Sequence, residues 1–135
     1  MWVRALIICD DVRLESGGTV SLIGVFADRI YVPPGEGELM LPRLAIYTAV
    51  AGLTEVHEVA WRQWLSPDGS EPGPPIAERR DPHDPRADEH RMVNIMSPLV
   101  LPGAGRYRLT LELDTARERR TVDYHFAIER LARAS

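Results

Sequence analysis

The chain has one cysteine, Cys9, and no lysine. A lone thiol excludes an intrachain disulfide, so the fold must stand on its apolar core, and scarce cysteine is ordinary in a reducing cytoplasm. At 135 residues, a single domain spanning 1–135 removes roughly two-thirds of its unfolded surface from water, enough to dispense with staples. The sixteen basic side chains are all arginine, a bias that reads as the coding preference of a GC-rich genome. An excess of positive charge is missing too: the net charge of −4 argues against nucleic acid and against anionic lipid surfaces as partners. Long apolar runs are absent. The run after Arg4 extends only from Ala5 to Ile8, short of the roughly 7–15 residues of a secretory signal. Ile8 also stands where a lipoprotein signal wants a small residue before its cysteine. Nothing approaches the ~18 apolar residues of a spanning helix. The expectation is a cytoplasmic protein that touches no membrane.

What is present is alternation. Tyr107, Leu109, Leu111 and Leu113 alternate with polar residues, and so do Val122, Tyr124, Phe126 and Ile128. Period-two patterning places each apolar set on one face, which predicts two half-buried strands joined by a polar loop. Val3 to Cys9 is almost wholly apolar and predicts a strand covered on both faces, ending at Asp10 and Asp11. Further strands are predicted over Thr19–Phe26 after the Gly17-Gly18 turn, Leu44–Ala51, Val56–Leu65 and Met92–Val100. Along Val56–Leu65, Trp61 and Trp64 fall on opposite faces, so neither face is wholly wet. Pro98 assigns the Met92–Val100 strand to an edge or a bulge. Tyr31 to Glu38 reads as a rigid polar connection, because Pro33 and Pro34 fix φ and lack donors. From about 70 to 89 five prolines sit among charges with no apolar periodicity, which predicts a mobile loop of about twenty residues. The sum is an all-β class: an antiparallel β-sandwich of about seven strands, immunoglobulin-like or similar.

Chemistry-bearing residues are sparse. Cys9 would need a cationic neighbour to become a nucleophile, and its apolar surroundings predict a buried, inert thiol. Asp10 and Asp11 could contribute oxygen ligands to a hard cation, but a carboxylate pair at a strand end more often binds backbone N–H groups. Asp81, His83, Asp84, Asp88, Glu89 and His90 form the richest cluster of possible ligands. Imidazole with carboxylate suits zinc or another divalent transition metal, which marks His83, Asp84, Asp88 and His90 as the candidate metal ligands. Their spacing matches no defined metal motif, and Pro82 and Pro85 favour a plain solvated loop. Asp123 and His125 share a face, an arrangement open to acid-oriented base chemistry, yet no serine or cysteine is placed to complete a nucleophilic set. No paired glycines lead from a strand into a helix, so no phosphate cradle, no catalytic residue and no cofactor is expected.

Cys9-Asp10-Asp11-Val12-Arg13, the Gly17-Gly18 turn and Ser21-Leu22-Ile23-Gly24-Val25-Phe26 resemble the opening of small bacterial proteins grouped as a family of unknown function. Ser66-Pro67-Asp68-Gly69 and Pro102 to Arg108 match the same outline, while the 70–89 segment looks expanded. The resemblance implies a compact β fold and brings no activity or cofactor. The expected role is a non-catalytic interaction or structural module, acting on a protein partner or on its own copies. The alternative is a metal-binding protein or metal-dependent enzyme that uses the histidine-carboxylate loop.

Overall fold

Period-two patterning becomes strand throughout. Among residues 1–133, which the computed structural model describes, eleven strands and no helix form. They are β1 (Trp2–Leu14), β2 (Val20–Phe26), β3 (Arg29–Val32), β4 (Leu39–Leu41), β5 (Leu44–Ala51), β6 (Glu58–Pro67), β7 (Ala77–Pro82), β8 (His90–Met96), β9 (Leu99–Leu101), β10 (Gly105–Asp114) and β11 (Arg119–Arg130). One sheet has the order β2-β1-β5-β8 and is antiparallel throughout. A second has the order β3-β11-β10-β6-β7, with β3 parallel to β11, and β4 pairs with β9 in a third.

The all-β class is as expected, but the arrangement is not a seven-stranded antiparallel one. Eleven strands form and the five-stranded sheet is mixed. Three of the added strands, β3, β4 and β9, have only three or four residues, too few to show periodicity. The fourth, β7, lies inside the 70–89 segment expected to be loop. Its partner β6 recruits it through charge instead of apolar alternation: Arg62 pairs with Glu78 at 3.0 Å and Arg80 with Glu58 at 2.9 Å. Nor does β1 stop at Asp10 and Asp11. It runs on to Leu14 because Asp11 and its neighbours stay in register with β2.

The core lies between the two larger sheets. Ile8, Leu44 and Ile46 of one meet Tyr107, Leu109, Phe126 and Ile128 of the other, and Val50 and Met92 meet Trp61, Leu111 and Leu113. Burying each such aliphatic side chain stabilises the fold by roughly 1.5–3 kcal/mol. The alternate residues of β5 serve a second apolar layer, in which Ala45, Tyr47 and Ala49 pack with Cys9, Val12 and Leu22. Alanine at two of those positions leaves room for the overlying chain, and every residue of β5 is buried. Arg91 on β8 donates to the Gly18 carbonyl at 3.0 Å, which ties the β1–β2 turn to the far edge of that sheet.

Candidate functional site

The edge strands β7 and β8 belong to different sheets and come together around the 83–89 turn. Alternation in β6 turns Trp61 into the core, and its indole N–H donates to Asp81 Oδ2 of β7 at 2.8 Å. His90, the first residue of β8, places Nε2 3.0 Å from the same carboxylate oxygen. The turn itself is tightly tied: Arg86 N–H donates to Asp84 Oδ1 at 3.0 Å, Ala87 N–H to the Asp84 carbonyl at 2.9 Å, and His83 N–H to the His57 carbonyl at 2.9 Å. So held, the His83 ring directs Nε2 at the Ala87 carbonyl, 2.9 Å away. The two imidazoles meet edge to face with centroids 5.3 Å apart, and their Nδ1 atoms are 3.4 Å apart.

Burial pushes the Asp81 carboxyl up, but hydrogen bonds from Trp61 and His90 and the nearby charges of His90 and Arg79 outweigh it. The group is held below the usual carboxylate range. Beside it an open groove of about 360 Å³ is lined by Tyr47, Trp61, Asp81, His90, Met92 and Val93 among others.

Of the four candidate metal ligands, the structure brings His83 and His90 together and leaves Asp84 and Asp88 apart. Asp84 is engaged by the Arg86 backbone N–H and guanidinium, which lower its pKa. Asp88 accepts from the Thr54 hydroxyl at 3.4 Å. Among the described residues no three His, Cys, Asp or Glu side chains are grouped to hold one metal ion. Asp81, rather than Asp84 or Asp88, is the carboxylate that engages His90. Trp61, the second donor to Asp81, had no signal in the local sequence, being twenty positions away.

The other candidates separate. Cys9 is fully buried, its thiol donates to the Asp11 carbonyl at 3.4 Å, and burial pushes its pKa up, the reverse of an activated nucleophile. Asp11 accepts from the Val12 N–H at 2.9 Å and pairs with Arg43 at 3.3 Å, while Asp10 is exposed. Asp123 accepts from Thr110 at 2.7 Å and His125 lies 3.5 Å from Asp68, so these two form no acid–base pair.

A second feature is the edge of β2. Free sheet edges are normally blunted by charge, proline or shortness. Among the described residues, three of the four edges of the two larger sheets are: β7 carries Glu78, Arg79, Arg80 and Pro82, β3 has four residues before Pro33-Pro34, and β8 carries His90 and Arg91 and ends before Pro98, while β4 and β9 of the third sheet have only three residues each. β2 has seven residues with neither charge nor proline, and exposes Ile23 at 39% and Val25 at 57%. No family model matches the chain, and no curated protein matches it.

Proposed function

We propose that the protein is a non-catalytic interaction module, a β-sandwich that self-associates by antiparallel pairing of β2 with β2 of a second copy. The single observation behind this reading is the unprotected β2 edge. Its unpaired backbone groups are a template for another strand. A two-fold axis through Ile23, the midpoint of β2, sets that residue opposite its own copy, with the left-handed Gly24 interrupting the ladder on either side of the Ile23 pair. Ile23 then faces its own symmetry mate. The opposing apolar, β-branched side chains of the Ile23 pair stabilise such a ladder by roughly 0.2–1 kcal/mol, and no charge opposes a like charge across it. An isologous contact of this kind closes as a dimer and does not propagate. Strand pairing alone falls short of the ~1,200 Å² of a standard interface, so the dimer is concentration-dependent.

Sedimentation velocity over a concentration series tests the reading. The wild-type chain should move from monomer towards dimer, and Val25→Lys should stay monomeric with an unchanged far-UV spectrum, since Val25 is more than half exposed. A wild-type chain that is monomeric at every concentration, or a Val25→Lys chain that dimerises equally well, overturns it.

A further inference from the structure

We propose that His83 and His90 form a two-imidazole site for a divalent transition cation of the zinc and copper class, held through their Nδ1 atoms. Hydrogen-bond bookkeeping carries the argument. His83 Nε2 faces the Ala87 carbonyl at 2.9 Å, and a carbonyl only accepts, so this nitrogen carries the ring proton. His90 Nε2 faces Asp81 Oδ2 at 3.0 Å, and that oxygen already accepts from the Trp61 indole, a group that can only donate. An ionised Asp81 therefore requires a proton on His90 Nε2 as well. When both imidazoles are neutral each has one N–H, so both Nδ1 atoms are bare and two lone pairs confront each other across 3.4 Å, whereas a ring charged beside Asp81 would donate its Nδ1–H across that gap.

Something positive resolves that confrontation, either a proton or a metal ion, and the spacing suits the ion. A shared proton would make this a long hydrogen bond, since such bonds usually span about 2.7–3.2 Å. Two nitrogens each bonded at ~2.0–2.1 Å to a tetrahedral ion stand roughly 3.3–3.4 Å apart, which this pair matches. Asp81 on His90 and the Ala87 carbonyl on His83 are the outer partners that fix the tautomer and orientation of a ligating histidine. His90 borders the groove, which gives an ion a path from solvent. With two protein ligands, water fills the remaining positions and the bound ion exchanges readily. Copper(II) generally binds imidazole more tightly than zinc, but it prefers tetragonal sites whose cis nitrogens stand only about 2.8–2.9 Å apart, so the 3.4 Å spacing suits zinc. The site is separate from the β2 edge and does not depend on self-association.

The test uses the full chain, stripped with chelator and titrated with Zn²⁺ and then Cu²⁺ by calorimetry. Long-range ¹H–¹⁵N correlation of the imidazoles is recorded during the Zn²⁺ titration. One ion per chain should bind, with the Nδ1 signals of both His83 and His90 displaced and both Nε2–H correlations retained. His90→Gln should abolish saturable binding, and His125→Gln should leave it intact. Asp81→Asn, which changes the partner of His90 Nε2 without touching either Nδ1, should weaken it by about 10–100-fold. The proposal is overturned by absence of binding, by uptake that survives His83→Gln and His90→Gln, or by Nδ1 shifts that track acid alone. Should a histidine variant fail to fold, the wild-type spectra decide: an ion that leaves either Nδ1 unmoved refutes the site.

Discussion

Adding one methyl group at Gly24 should damage the β1–β2 hairpin by two separable routes. Gly24 has φ +65°, and a Cβ built on it lies 2.8 Å from the Cβ of Asp10 on the neighbouring strand. The left-handed conformation costs a non-glycine residue roughly 1–2 kcal/mol, and overpacking of this kind typically adds about 1–3 kcal/mol. Both crowded atoms are β-carbons fixed to backbone, so no rotamer relieves the contact. Set against these, alanine loses less chain entropy on folding, which returns about 0.4–1 kcal/mol. Gly24→Ala should therefore destabilise the protein by roughly 1.5–4 kcal/mol, a fall in Tm of about 3–5 °C per kcal/mol for a chain of this size. Urea unfolding of a double-mutant cycle with Asp10→Gly separates the two routes. Removing the Asp10 Cβ abolishes the contact but leaves the φ strain, so Gly24→Ala should cost only about 1 kcal/mol in that background, and the cycle should return a coupling of about 1–3 kcal/mol. A coupling within the ~0.5 kcal/mol of independent sites refutes the steric reasoning. A neutral Gly24→Ala refutes the backbone reasoning as well.

Two further outcomes follow from buried polar groups. Asp81→Leu removes the acceptor for the indole of Trp61, which is 2% exposed, and for His90 Nε2, and each orphaned donor costs about 1–3 kcal/mol. Urea unfolding followed by tryptophan fluorescence should show a loss of roughly 2–4 kcal/mol, and a change below ~0.5 kcal/mol contradicts the assigned network. Alkaline stability is the second. Burial raises the pKa of Cys9, and it raises that of Tyr107 despite its bond to the Gly103 carbonyl. A raised folded pKa favours the protonated form, so this stability is complete below the unfolded values of about 8.5 for Cys and 10 for Tyr and is lost as pH rises through the folded ones. Melting curves should be level to about pH 8.5 and fall beyond it, with a smaller early fall in Cys9→Ala. A Tm that rises from pH 9 upward reverses the sign and sinks the assignment.

Strands whose side chains decide their own environment were legible in the sequence. β10 and β11 alternate strictly, and Leu109, Leu111, Phe126 and Ile128 are buried as that alternation requires. Trp61 and Trp64 divide between buried and half-buried faces of β6 in the same way. Partner-dependent strands were not legible. β7 has no apolar period because cross-strand ion pairs to β6 place it, and β1 continues past two aspartates because β2 is there to pair with Asp11 and the residues after it. At the seam, composition pointed to His83 and His90, but their neighbours in sequence were a poor guide to their neighbours in space. Asp84 turns back on Arg86, whereas Asp81, on a strand not foreseen, meets both His90 and Trp61. Tautomers are set by such contacts, and no spacing rule encodes them.

Self-pairing of β2 is tested most directly by its register. In a Cys9→Ala background, Ile23→Cys gives one thiol on the two-fold axis, where antiparallel partners have Cα atoms about 4.5–5.5 Å apart, within disulfide reach. Met40→Cys, on a more exposed apolar position of β4, is the control. Mild oxidation should convert the Ile23→Cys chain to a covalent dimer and leave the Met40→Cys chain largely monomeric. Equal yields from the two, or none from Ile23→Cys, contradict pairing through β2.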